Sequence, residues 1–281
     1  MVDFGPAGRC ELMDELKIDM MKVPRYLSEV GLTAFEYPLT RGVNLPLETA
    51  KKIGDEFKKY NIKLSVHGPF YINLANVSDE MAEKSFAYII SSLKIMDAMG
   101  ADRLVFHPGA LMGQTRAQAQ SLILKRLKQL IPILNDLNLL DGKYLCPETM
   151  GKHGQCGTVS EVADMCKIDP HIMPTIDFGH INAFTLGKLD SVDAFCDIFS
   201  ELEDVLGERA KTIHGHFSRI EYGEKGELKH LNFNSPEQFG PNYKLLNKAL
   251  KKCNIDARIM CESSGNQTID SLEMKKDYES C

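Results

Sequence analysis

The chain has 281 residues, 43% of them hydrophobic and 26% charged, with a formal charge of -6, eight cysteines and no tryptophan. No apolar run approaches the ~18 residues needed to cross a bilayer, and the start, MVDFGPAGRC, has neither a basic n-region nor an apolar h-region, so a cytoplasmic protein without membrane attachment is expected. The acidic balance argues against gripping nucleic acid by bulk charge, because neutralising phosphates takes Lys and Arg at the contact face.

Short β-rich runs recur along the chain, each followed by a longer amphipathic segment. Strands are expected at Val2–Gly5, Leu32–Tyr37, Lys63–His67, Arg103–His107, Tyr144–Glu148, Met173–Asp177, Thr212–His216 and Arg258–Glu262. Helical spacing fills the intervals. Over Glu83–Met99 it places Phe86, Ile90 and Leu93 on one face with Gly100 as the stop, and over Ala117–Leu137 it turns Leu122, Leu127, Leu130 and Leu134 inward and Lys125, Arg126 and Lys128 to water. Eight units over 281 residues give about 35 residues each, which suits a βαβ crossover. The expected fold is therefore α/β, a (β/α)8 TIM barrel occupying residues 1–281 as one domain, with an open doubly wound sheet as the alternative.

The strand ends carry the chemistry. His67 ends SVHGP, His107 ends VFHPG, Glu148 ends LCPETM, Asp177 and His180 end TIDFGH, His216 lies in HGHFS and Glu262 in MCESS. In a closed parallel barrel all these ends open on one face, where active sites of this architecture sit. Of eight histidines, five (His67, His107, His180, His216, His230) fall at or just after strand ends. Imidazole with carboxylate suits Zn²⁺ or Mn²⁺, and three carboxylates crowded together without cations would repel one another. Taken singly each has a plainer role: a hydrogen-bonded histidine, an N-cap for Asp177, a lysine partner for Glu148 or Glu262. His214, two residues before His216, points to the same side of its strand and either orients a ligand or ligates itself. His153 and His171 read as loop residues. The cysteines form no CxxC pair and read as reduced thiols; Cys146 and Cys261 read as small core residues, with Cys261, next to Glu262, on the opposite strand face from that glutamate.

With these segments the chain resembles the endonuclease IV family, zinc-dependent apurinic/apyrimidinic endonucleases on a xylose-isomerase-like barrel. The carriers, in order, are VHGPFYINLAN, FHPG, PETMGKHG, DFGH, HGHFS and CESSG, and together they extend over nearly the whole chain. The resemblance implies that His67 and His107 hold one zinc, that Glu148 bridges it to a second, and that Asp177, His216 and Glu262 complete the second. His180 and His230 would hold a third, which the family finishes with an aspartate two residues before the second histidine. Here Leu228 occupies that position and cannot ligate. Glu227, one residue further away, could reach by a loop adjustment; otherwise the third ion is held differently, loosely or not at all. Glu148 and Glu262 are expected to serve catalysis as well as metal binding. Phe70, Tyr71 and Arg41 fall where the family wedges side chains into DNA, although packing is an equal alternative for Phe70.

The implied activity is hydrolysis of the phosphodiester 5′ to abasic sites in damaged double-stranded DNA, using two or three zinc ions, with manganese as the substitute and no obligate protein partner. The residues agree with that chemistry: clustered divalent ions acidify water and neutralise charge developing on a phosphodiester. The rival is a sugar isomerase or epimerase of the same superfamily, for which Glu148, Asp177, His216 and Glu262 alone can hold one Mn²⁺ or Mg²⁺ and assist proton transfer beside a carbonyl.

Overall fold

The computed structural model describes residues 2–39, 42–236 and 238–281. Eight parallel strands form its centre: β1 (Val2–Pro6), β2 (Ala34–Pro38), β3 (Lys63–His67), β4 (Arg103–Phe106), β5 (Tyr144–Pro147), β6 (Thr175–Asp177), β7 (Thr212–Phe217) and β8 (Asp256–Cys261). Continuous ladders give two four-stranded runs, β1-β8-β7-β6 and β2-β3-β4-β5. Single parallel bridges join them, Ala7 with Glu36 between the ends of β1 and β2, and Leu145 with Ile172 and Glu148 with Thr175 between β5 and β6. The ring is thereby closed, and the (β/α)8 barrel expected from the eight strand signals is the observed architecture.

Strand alternation sorts the side chains into two layers. On β2, Phe35 turns outward and packs against Phe57 of the following helix, Leu47–Lys59, with ring centroids 5.2 Å apart; Glu36 therefore turns inward. On β7, Ile213 and Phe217 face the helical layer, and His214 and His216 face the barrel interior. Burial of Phe4, Phe106, Phe178, Phe195 and Phe199 between strands and helices makes that outer layer the apolar core. Cys146 and Cys261 are buried, and burial pushes the Cys146 thiol up to about 12.

The two helices marked by periodicity are present as Asp79–Met99 and Arg116–Asp136. Ser78 caps the first by accepting from the Met81 backbone, and a reciprocal Thr115–Gln118 capping box starts the second. Their buried faces are rotated slightly from expectation: Phe86, Ile90 and Leu122 are half-buried, and Ile89 and Ile123 are buried instead. Arg126 is a correction. It is buried, not solvated, and its guanidinium donates to the carbonyls of Leu74 (2.8 Å) and Asn76, tying the loop after β3 to the helix. Five donors on a long stem let one side chain satisfy a loop's buried carbonyls. Among the described residues no helix is long and apolar enough to cross a membrane.

Arg126→Met keeps the apolar stem and removes the donors. We expect a loss of about 2 kcal/mol, the scale for orphaning buried acceptors, read as a lower urea midpoint with unchanged slope; a midpoint equal to wild type would show that water replaces the guanidinium without loss.

Candidate metal centre

The ligand-type side chains converge on the carboxyl-terminal mouth of the barrel. His67 is the last residue of β3, His107 and Glu148 follow β4 and β5, Asp177 ends β6, His216 lies on β7, and Glu262 follows β8. Asp177 also caps the helix Phe178–Phe184 by accepting from the His180 backbone (2.7 Å), which sets His180 in the first turn beside it. Glu148 is at the centre. Its Oε2 is 3.4 Å from His67 Nε2 and 3.2 Å from His107 Nε2, and its Oε1 is 3.1 Å from His216 Nδ1. His216 Nδ1 in turn lies 3.4 Å from Glu262 Oε1 and 4.0 Å from Asp177 Oδ2.

A third group forms to one side. After β7 the chain makes an antiparallel hairpin, Arg219–Gly223 with Gly226–Leu231, in which Glu221 faces Lys229 and Tyr222 faces Glu227. Leu228 has no opposite number, so the strand bulges there and the leucine is 61% exposed. In a regular strand residues three apart face opposite sides. The bulge cancels that parity, and Glu227 and His230 meet on one side: Glu227 Oε1 is 3.9 Å from His230 Nε2, and Oε2 is 3.5 Å from His180 Nε2. Glycines make room for this approach. A side chain at Gly151 would lie 2.8 Å from Glu227 Cβ and 3.0 Å from His180 Cδ2, and Gly226, at φ +91°, sits against the Gly151 carbonyl.

Among the described residues, four sets can each bring one ligand atom per residue within 4.8 Å of the others: His67–His107–Glu148, Glu148–Asp177–His216–Glu262, His180–Glu227–His230 and Glu36–His214–His216. All eight residues expected as metal ligands therefore lie together. Glu36 was missed, and its only sequence signal was a lone carboxylate at an inward position of an apolar strand. His153 and His171 stand apart, half-buried, with partners in the Phe184 carbonyl (2.9 Å) and Asp169 (2.8 Å). Phe70 and Tyr71, 57% and 59% exposed, stand beside the mouth, and the Phe70 ring lies 5.4 Å from His107. Arg41 lies outside the described residues. The cavity between these groups has a volume of about 510 Å³ and is lined by His67, Phe70, His107, His180, Glu227 and Glu262 among others.

A family model described as xylose isomerase-like TIM barrel, of the AP endonuclease 2 type, matches residues 24–278. The chain belongs to this family. It is 35% identical to an uncharacterized protein of Methanocaldococcus jannaschii over 94% of this chain and 92% of that one. It is 23% identical to the probable endonuclease 4 of Aquifex aeolicus, over 75% and 77% of the two chains. Among solved structures, a D-tagatose 3-epimerase-like protein superposes with a TM-score of 0.73 at 19% identity, covering 99% of this chain and 97% of that one. Endonuclease IV from Thermus thermophilus superposes with a TM-score of 0.68 at 15% identity, covering 100% and 99%.

Within this xylose isomerase-like barrel the donor set fits divalent cations. Glu148 Oε2 and Asp177 Oδ2 are buried oxygens without a hydrogen-bond partner, the atoms a cation would satisfy. In three of the imidazoles Nδ1 is tied to a neighbouring oxygen: His67 Nδ1 to the Gly68 carbonyl (2.9 Å), His180 Nδ1 to the Thr149 carbonyl (2.9 Å), beside Glu148 Oε1 at 3.3 Å, and His230 Nδ1 to Ser218 Oγ (2.9 Å). Each leaves Nε2 turned into the cluster, the arrangement that presets a ligand's tautomer. Imidazole with carboxylate is the donor chemistry of zinc and manganese.

The imidazoles and carboxylates of the cluster shift one another's ionisation. Burial opposes ionisation of Glu148, but His216 and the other surrounding rings outweigh it and hold the carboxyl well below its usual range. Burial likewise disfavours charge on His67 and His180, yet Glu148 for the former, and Asp177 with Glu148 for the latter, lift them to about 9 and about 10. Asp177 is raised, chiefly by burial.

Histidines raised from 6.5 to about 9 and 10 contribute stability that is fully present below pH 6.5 and is lost as pH rises through those values. Chelator-treated protein should therefore melt at falling temperature between pH 6.5 and 10, and zinc-loaded protein, in which the ion replaces the protons, should show a flatter profile. Parallel profiles with and without zinc would remove this account.

Proposed function

We propose that this chain is a zinc-dependent apurinic/apyrimidinic endonuclease that hydrolyses the phosphodiester 5′ to abasic sites in duplex DNA. The observation that carries the reading is the pair of clusters flanking the central quartet, His67–His107 on one side of Glu148 and His180–Glu227–His230 on the other. Proton transfer beside a sugar carbonyl needs one ion, and while sugar hydroxyls could use some of the flanking histidines, it does not require two further complete ligand sets. A multinuclear centre suits a phosphodiester, which must be held at several oxygens while charge builds on phosphorus. The sequence relationship to a protein named probable endonuclease 4 supports the same choice.

His67 and His107 with Glu148 would hold one ion, and Glu148, Asp177, His216 and Glu262 a second, with Glu148 between them. Zinc bound there supplies an acidified water and a sink for negative charge on the phosphoryl oxygens. The chain's own residues do the positioning. Glu148 turns one oxygen toward each ligand set, and the Gly68 and Thr149 carbonyls orient His67 and His180. Glu227, brought round by the bulge at Leu228, takes the place of the family's aspartate in the third set. Phe70 and Tyr71 offer exposed rings to unstacked bases at the rim. Damaged double-stranded DNA is the partner this requires, and the formal charge of -6 does not oppose it, since two or three divalent ions would add roughly +4 to +6 at the mouth.

One observation favours a second reading. The quartet Glu148–Asp177–His216–Glu262 is complete by itself, and a ketose epimerase needs no more.

An incision assay on a duplex with one abasic site, run beside a ketose epimerisation assay, separates the two. Nicking should be abolished by chelator and restored by zinc, with no sugar turnover; epimerisation without nicking would replace the nuclease by the epimerase. Glu148→Gln should keep the fold and cut at least about 10³-fold more slowly, the scale of several kcal/mol of lost transition-state stabilisation. Elemental analysis should find at least two zinc ions per chain, and Glu227→Gln should selectively lower occupancy of a third.

A further inference from the structure

Glu36 is a charged group at the foot of the site for which the proposed chemistry has so far no use. It is 1% exposed, inside the barrel on β2. Its Oε2 accepts from Ser65 Oγ and from His214 Nε2, each at 2.9 Å. Behind His214, Arg103 Nη1 lies 3.4 Å from the ring's Nδ1. A guanidinium has only donors, so Nδ1 is the acceptor and Nε2 carries the proton directed at Glu36. Oε2 is thus saturated from two sides, and the carboxylate is fixed in rotation.

That leaves Oε1, which has no hydrogen-bond partner of good geometry. Neither has His216 Nε2, and the two atoms are 3.0 Å apart. The opposite ring edge of His216 presents Nδ1 to Glu148 and Glu262. In His67, His180 and His230 it is Nδ1 that meets a carbonyl or hydroxyl and Nε2 that faces Glu148 or Glu227, with His180 Nδ1 also 3.3 Å from Glu148 Oε1.

We propose that Glu36, locked by Ser65 and by the Arg103–His214 chain, is a positioning residue that keeps the His216 proton on Nε2 and delivers Nδ1 as a ligand to the ion shared by Glu148, Asp177 and Glu262. The inference rests on the metal-centre reading above. A carboxylate is a stronger acceptor than the carbonyls behind His67 and His180, so it both fixes the tautomer and makes the ring a better donor to metal. A separate ion held by Glu36, His214 and His216 themselves is disfavoured, because His214 Nε2 is spent as a donor and a guanidinium stands directly behind the ring.

The test measures metal binding and tautomer, with no recourse to activity. In zinc-loaded wild-type protein carrying ¹⁵N-histidine, NMR should show His216 coordinated through Nδ1 with Nε2 protonated, and His67 and His180 coordinated through Nε2. Glu36→Gln is isosteric but offers one acceptor atom where two are used. Folded variant should lose about 10- to 100-fold in affinity for one zinc ion, by chelator competition, and keep wild-type affinity at the ion held by His67 and His107. His216 coordinated through Nε2, or a folded variant binding every ion as wild type does, would overturn the role of Glu36 and leave the metal centre standing. Wild-type protein taking up no ion at the shared position would overturn both, and is recognised without any substitution. If Glu36→Gln does not fold, the wild-type spectrum alone decides.

Discussion

The molecule depends on placing one fully buried carboxylate, Glu148, where no water reaches it. An isolated ionised carboxyl in such a place is strongly unfavourable, so its surroundings must answer its charge. They do so by geometry: the parallel barrel brings the ends of β3, β4, β6 and β7 around it, and each contributes an imidazole or a second carboxylate. No local element could gather His67, His107, His180 and His216 from so wide a span of chain. Ring closure, made at β1–β2 and β5–β6 by only a few bridging residues, is what makes the centre possible.

Around that centre the structure is layered by function. Outside, phenylalanines between strands and helices supply the apolar burial. Inside, the barrel carries polar groups that hold one another: Arg258 reaches the Leu64 carbonyl and Asp102, Arg103 reaches the Ile213 carbonyl and His214, and Glu36 links Ser65 to His214. His214 itself is pushed down to about 3 by burial, reinforced by its cationic neighbours His216 and Arg103 over the opposing pull of Glu36. It therefore serves as a neutral connector at any ordinary pH. A rigid polar floor under a site of charged ligands keeps their spacing from drifting.

Much of this was legible in the sequence, because barrel strands and their terminal ligands leave short, regular marks. A β-branched run ending in His, Glu or Asp, recurring along the chain, specifies both the fold and the face on which these groups gather. Three things were not legible, each for a physical reason. Arg126 falls at a helical position where charge normally means solvent, and only the path of a distant loop shows that its guanidinium is needed inside. Glu36 sits mid-strand rather than at a strand end, so its partner, 178 residues away at His214, emerges only when the ring closes. Glu227 was legible as the nearest replacement carboxylate, but the bulge that brings it round was not, because bulges leave almost no trace in composition.

That hairpin irregularity separates distance along the chain from direction in space. An acidic residue two positions before a histidine on a flat strand, and one three positions before it on a strand with a single extra residue, present their side chains to the same point. The two patterns are interchangeable to an ion and unlike to the eye. A cluster of ligand-type groups can thus keep its shape across a one-residue difference in spacing when the extra residue is thrown outward, as Leu228 is. Spacing in such hairpins is best counted by strand face, since a count along the chain reaches Leu228 where the fold brings in the Glu227 carboxylate.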